Sequence, residues 1–301
     1  STTSNGTHGG GSEYTTGVTT AGTPGSSGAY TQIVVAASAP TLYYYCTQHS
    51  GMGGQANTNS TLGSSNFDGT TQTKVKANPT AGFSIITYTG NGTTGSTVGH
   101  GLGVKPDVII IKRRSQSSDW MVYHKKVNAG VSPEDYYLSL NNNNAQTNSV
   151  IMLNDTAPTS SVVTLYANSA VNNSGHNYLM YCFSEVKGYT KFGSYTGNGN
   201  ADGSFVFTGF RPAFILFKNT TTTTNWELYD TTRPYGEYNP ALRPLYANHN
   251  YVEETHASLP ALDILSNGFK PRSTWDEFNK NGDTIIYLAF AESPFKNARA
   301  R

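Results

Sequence analysis

The last two thirds of this chain state one pattern twice. Tyr88-Thr89-Gly90-Asn91-Gly92 returns as Tyr195-Thr196-Gly197-Asn198-Gly199, 107 residues later. Pro106 with Val108-Ile109-Ile110-Ile111-Lys112 returns as Pro212 with Phe214-Ile215-Leu216-Phe217-Lys218, 106 residues later. Trp120 and Tyr123 return as Trp226 and Tyr229, again at 106, and Gly175, Phe183 and Glu185 return as Gly282, Phe290 and Glu292 at 107. One residue of slippage over about a hundred means two copies of one folding unit. No acid, base or nucleophile cluster is duplicated with it, which is the pattern of a scaffold or a binder rather than an enzyme.

The class of fold follows from what fills the copies. Strong helix formers are sparse, and β-branched and aromatic residues, 20 Tyr among them, carry the apolar content. Runs such as Val108–Ile111 and Thr284–Phe290 are short, apolar and bounded by Gly, Pro or Asn, as strands buried on both faces of a sandwich are. No stretch combines a 3.6-residue period with capping residues. The fold expected is all-β, with a partial β segment followed by two tandem homologous β-sandwich-like domains.

Along the chain, residues 1 to 56 open on the loop-like Thr7-His8-Gly9-Gly10-Gly11 and then offer two strands, Ala29–Val35 and Thr41–Cys46. Residues 57–80 are rich in Asn, Ser, Thr and Gly and read as a linker. Copy 1 follows over 81–188, and copy 2 from 189 to about 295, with a short basic tail to 301. A formal net charge of +1 gives no reason to expect nucleic acid as a partner. No apolar run approaches the ~18 residues that a membrane span needs. The chain starts at Ser1 without Met, so a processed chain or a fragment is expected.

Residues kept in both copies, Trp120 and Trp226 above all, are expected to serve the common core. Specific recognition is expected where the copies differ. One such place is the Asn run with Asn141 and Asn143, continued by Gln146 and Asn148, and another is Thr220–Thr224. A third is the insertion Arg233 to His256, with Tyr235, Tyr238, Tyr246, His249 and Tyr251. Trp275 has no counterpart in copy 1. Amide and aromatic side chains on loops can hydrogen-bond sugar hydroxyls and stack on sugar faces; solvated polar loops between strands are the alternative.

Cys46-Thr47-Gln48-His49-Ser50-Gly51-Met52 places a thiolate, an imidazole and a thioether directly after a strand candidate. That spacing resembles the copper-ligand loop of cupredoxins, in which Met is a weak axial ligand. A complete site needs a second His from another strand, and only His8 precedes the motif. No copper site completed within the chain is therefore expected, and Cys46, His49 and Met52 stand as candidates or as packing residues of a cupredoxin-like segment. No other cofactor is expected. Cys182, in an apolar run and matched by Ala289, reads as a core thiol rather than half of a disulfide.

Tyr43 to Gly54 as a whole resembles a segment recurrent in large virion structural proteins of marine phages, cyanophages among them. Lys191–Gly199 with Gly209-Phe210-Arg211-Pro212, and Tyr287-Leu288-Ala289-Phe290-Ala291-Glu292, resemble a C-terminal module of tail fibres from the same phages. In those proteins the cupredoxin-like segment starts further upstream, with a His-bearing strand that this chain lacks. The resemblance implies a non-catalytic tail fibre or fibre tip in the virion. Its implied state is a homotrimer, and its implied partners are other tail proteins and a host surface glycan or protein. A structural virion component without receptor binding, such as a capsid decoration or fibre shaft, is the alternative. A secreted enzyme or copper carrier is a third reading. Against it, the seven His pair with no carboxylate at a catalytic spacing, and no local motif shows the paired carboxylates of a depolymerase.

Overall fold

The computed structural model describes residues 1–2, 13–35, 39–46, 52–56, 58, 63–233, 240–241, 243–253 and 261–293. These residues form an all-β protein whose only helical pieces are two short 3-10 turns, Val127–Gly130 and Pro133–Asp135. Among them no helix is long and apolar enough to cross a membrane.

Two hairpins come first. Strand β1 (Val18–Ala21) pairs with β2 (Tyr30–Ile33), and β3 (Leu42–Tyr45) with β4 (Gly53–Ala56). Then follow β5 (Ser64–Asn66), β6 (Thr73–Asn78), β7 (Phe83–Thr89), β8 (Ser96–Gly99), β9 (Val108–Arg113) and β10 (Trp120–His124). Strands β11 (Tyr136–Ser139), β12 (Thr147–Asn148), β13 (Val162–Leu165) and β14 (Asn177–Phe183) complete the first half. They form one long sheet, β12-β11-β10-β9-β14-β7-β6-β5, and a short sheet, β13-β8. The second half contains β15 (Thr190–Thr196), β16 (Val206–Phe207), β17 (Pro212–Asn219), β18 (Trp226–Asp230) and β19 (Pro240–Ala241). After these come β20 (Leu245–Tyr246), β21 (Leu262–Leu265), β22 (Gly268–Pro271) and β23 (Thr284–Ala291). Their sheets are β15-β23-β17-β18-β20 and β16-β22-β21-β19. Strand for strand, β7-β14-β9-β10-β11 and β15-β23-β17-β18-β20 are the same order.

The stretch 57–80 is not a plain linker. Strand β6 pairs with β7 from Thr73↔Tyr88 to Asn78↔Phe83 and carries β5 on its other edge. Its sequence hides a period of two, with Thr73 and Val75 buried and Lys74 and Lys76 exposed. One valine in a polar run satisfies a strand of which only one face is buried.

Each long sheet has an inner and an outer face. In copy 1 the inner face, including Ile86, Ile109, Ile111, Tyr123, Met180 and Cys182, packs on Val98, Val163 and Leu165 of the short sheet. Cys182 is a fully buried thiol, and burial pushes its pKa up. Copy 2 repeats the arrangement with Ile215, Phe217, Tyr229, Ile285 and Tyr287 against Val206, Ile264 and Phe269.

The outer faces meet each other. Val122, Val127 and Leu138 of copy 1 enclose Trp226 and Ile286 of copy 2, and Val108 packs with Phe192 and Leu288. Phe183 adds edge-on ring contacts to Phe192 and Phe290, at 6.2 and 6.5 Å. Hydrophobic contact of this kind is non-directional, and polar bonds fix its register. The Trp226 Nε1–H donates to Ser139 O at 2.9 Å, and His124 Nε2 lies 3.3 Å from Tyr287 O. Glu185 accepts from Phe192 N at 2.8 Å and pairs with Lys125 and Lys191. The two equivalent tryptophans therefore differ: Trp226 is 1% exposed between the copies, whereas Trp120 is half-buried beneath the Lys112 ammonium.

Candidate binding surface

The most conspicuous repeat, Tyr-Thr-Gly-Asn-Gly, closes a turn. In copy 1 the Asn172 side chain accepts from Asn91 N at 3.0 Å and donates to Thr93 O at 2.9 Å. In copy 2 Asn279 does the same for Asn198 N at 3.1 Å and Asn200 O at 2.7 Å. The main chain of the neighbouring loop presses so close that a Cβ on Gly90 or Gly197 would lie 2.4 or 2.2 Å from a carbonyl oxygen, Asn173 O or Lys280 O. Only glycine fits there. These residues are occupied by structure, and the loops that differ are left to consider.

Two of those loops bind each other. Asn143 O accepts from Thr224 N at 3.0 Å and from Lys218 Nζ at 3.2 Å, and Gln146 N donates to Thr220 O at 2.9 Å. Asn141 is spent locally: its side chain accepts from Trp120 N at 2.8 Å and donates to Asp119. Asn248 takes the same place in copy 2, accepting from Trp226 N at 2.8 Å and donating to Asn225. Asn141 and Asn248 are thus a repeated pair that flanking sequence differences conceal. The Asn143 side chain itself is exposed.

Lys218 beneath this junction is fully buried and donates to neutral oxygens: Asn143 O, Thr224 O and Thr224 Oγ1. Burial lowers its pKa to about 8, against the opposing pull of Glu277. His124, also fully buried, is pulled down to about 3, chiefly by loss of solvent.

The aromatic candidates lie on the same side of copy 2 as the start of β18. Tyr246 pairs with Glu227 at the sheet edge, and its ring meets Tyr251 edge-on at 5.9 Å. His249 stacks on Tyr251 at 4.4 Å with an interplanar angle of 4°. His249 and Tyr251 are both exposed. Arg233 to Asp230 and Arg243 to Glu253, at 2.7 and 3.3 Å, tie down the flanking chain. Trp275 is half-buried, edge-on to Phe278 at 5.8 Å, and covers the copy 2 core. Its loop is tied to the end of β17, because Asn219 donates to Asp276 O at 2.7 Å and to Asp283 at 2.8 Å. Tyr235, Tyr238 and His256 lie outside the described residues.

Copy 1 contributes a depression that the sequence did not signal. A shallow polar hollow of ≈ 370 Å³ is lined by Gln55, Gln72, Lys74, Thr89, Arg114 and Asn177, among others. Its residues come from separate segments, so no local motif marks it. Amides and cations in an open hollow are a chemistry suited to hydroxyl or anionic groups.

At the other candidate, Cys46 N donates to Met52 O at 2.8 Å, which continues the β3–β4 ladder past its last pair. Met52 is 58% exposed, and His49 lies outside the described residues. Among the described residues no group of three or more His, Cys, Asp or Glu is placed to hold a metal ion.

Compared with known protein families, residues 55–294 match the family described as a domain of unknown function, DUF7483, and the chain belongs to that family. No curated protein and no solved structure matches the chain.

Proposed function

We propose that this DUF7483 protein is a virion attachment protein, a phage tail fibre or fibre tip that holds a host surface group without chemistry on it. The observation that carries the reading is the contrast between the repeated and the unrepeated residues. The repeated polar groups are consumed in turns and in the contact between copies. The unrepeated chain after β20 displays the exposed His249–Tyr251 stack on a tied-down edge. The sequence resemblance to tail-fibre modules at Lys191–Gly199 and Tyr287–Glu292 points the same way. Stacked rings offer flat apolar surface to a sugar face, and a contact of roughly millimolar strength gains ~10²–10⁴ when three copies bind together.

The buried basic groups support a non-catalytic role. His124 and Lys218 are shielded from solvent and bonded to main-chain oxygens, where no substrate reaches them. A second reading, a structural virion component without a receptor, draws on the mutual packing of the Asn141–Asn144 and Thr220–Thr224 runs.

The test is adsorption. Fluorescently labelled chain should bind host cells and compete with virions for them. His249→Ala with Tyr251→Ala should abolish binding while circular dichroism and oligomer mass stay unchanged. Binding that survives the double variant removes this surface from the reading, and a wild-type chain that never adsorbs favours the structural role.

A further inference from the structure

The two copies bury different parts of equivalent faces. On the outer face of copy 2, Phe192, Lys218, Trp226, Ile286 and Leu288 are all covered by copy 1. Their equivalents in copy 1, Ile85, Lys112, Trp120, Leu179 and Tyr181, are each partly open. The reverse holds for the residues that do the covering. Val108, Val122 and Leu138 of copy 1 are buried, but their equivalents Phe214 and Leu228 are partly open and Leu245 is 37% exposed. The intrachain contact therefore joins unlike halves of like faces, and it leaves one half of each kind unused.

We propose that a second copy of this chain covers the open face of copy 1, using Phe214, Leu228 and Leu245 of its own copy 2. The contact within one chain supplies the template. There the Lys218 ammonium meets Asn143 O and the Trp226 indole N–H meets Ser139 O. Leu140 N donates to Trp120 O and Ala247 N to Trp226 O, each at 3.0 Å, which makes Ala247 the equivalent of Leu140. By that register, Asn250 answers to Asn143 and Tyr246 to Ser139. Between chains, Lys112 then donates to Asn250 O and Trp120 Nε1 to Tyr246 O. Unlike halves make a heterologous interface, which closes into a ring or continues as a fibre. A partly open Trp beside Leu, Ile and Tyr has the composition of an interface centre. The inference does not depend on attachment: a chain that assembles yet binds no cells, and one that binds cells as a monomer, are distinguishable.

The experiment is mass by light scattering and sedimentation on the full chain across a concentration series. The wild type should assemble. Leu179→Glu, on the open face of copy 1, and Leu245→Glu, on the opposing half of copy 2, should each give monomers with unchanged circular dichroism. An equimolar mixture of the two variants retains one intact pair of halves and should give dimers and nothing larger. Thr87→Arg, a partly exposed polar position on the same face, replaces Leu179→Glu if that variant unfolds. A monomeric wild type overturns the proposal, as does a mixture that stays monomeric. Leu245→Glu that assembles like wild type overturns it too, because the open face of copy 1 would then be pairing with itself.

Discussion

Lys112 and Lys218 stand opposite equivalent tryptophans, Trp120 and Trp226, and their surroundings set them apart. Lys112 is partly solvated over its ring, whereas Lys218 is sealed with neutral acceptors. A folded pKa near 8, below the unfolded value of about 10.4, means the unfolded chain binds more protons between those limits. Stability should therefore rise as pH goes from 8 towards 10. Urea midpoints measured across that window should climb in the wild type and stay level in Lys218→Met. His124 behaves alike in acid. Its folded pKa near 3, against about 6.5 unfolded, leaves stability intact above 6.5 and erodes it as pH falls towards 3, by on the order of 4 kcal/mol in all. Lys125 and Lys126, its neighbours in sequence, oppose its charge, while Glu185 of the same copy favours it. The Glu185 carboxylate, held low by Lys125, Phe192 N and Lys191, adds its own loss below the ordinary Glu range. His124→Gln should flatten the part of the midpoint curve between pH 6.5 and 4.5. An unchanged slope would mean His124 is solvated in the folded state.

At the scale of elements, repetition in the sequence made the strands legible and packing between copies decided the rest. Apolar runs such as Val108–Ile111 declare buried strands because both their faces are covered. Strand β6 was hidden because a strand with one buried face needs only Thr73 and Val75. Trp120 and Trp226 read alike, yet only Trp226 is enclosed, because which half of a face gets covered is set by the other copy and not by local sequence. Trp226→Ala should thus cost on the order of 3–5 kcal/mol, and Trp120→Ala much less in the isolated chain; equal losses in thermal melts would contradict the unlike packing. Asn141 was read as a recognition residue because the loops around it diverge, while its partner Asn248 does the same structural work 107 residues on. The polar hollow near Lys74 and Arg114 had no signal at all, being assembled from distant segments. Turn closure was legible in part: Gly197 announces a tight turn, but Asn279 as its clasp is visible only in three dimensions. Asn279→Ala should cost about 1–3 kcal/mol by stranding Asn198 N and Asn200 O, readable as a lowered urea midpoint.

For the whole molecule, two copies locked through Phe192, Trp226 and Leu288 make a stiff base, and stiffness is what a weak surface contact needs to be useful. Flexible modules would spend binding energy on ordering themselves. In the attachment role proposed above, that base would sit at the far end of a phage tail, with unlike halves of its faces joining chains and the unrepeated loops meeting the host. Position in the particle tests this most directly. Gold-labelled antibodies against the chain, imaged by electron microscopy on intact virions of the phage proposed to carry it, should decorate the distal ends of the tail. Label spread over the capsid, or purified virions without label, would contradict the account.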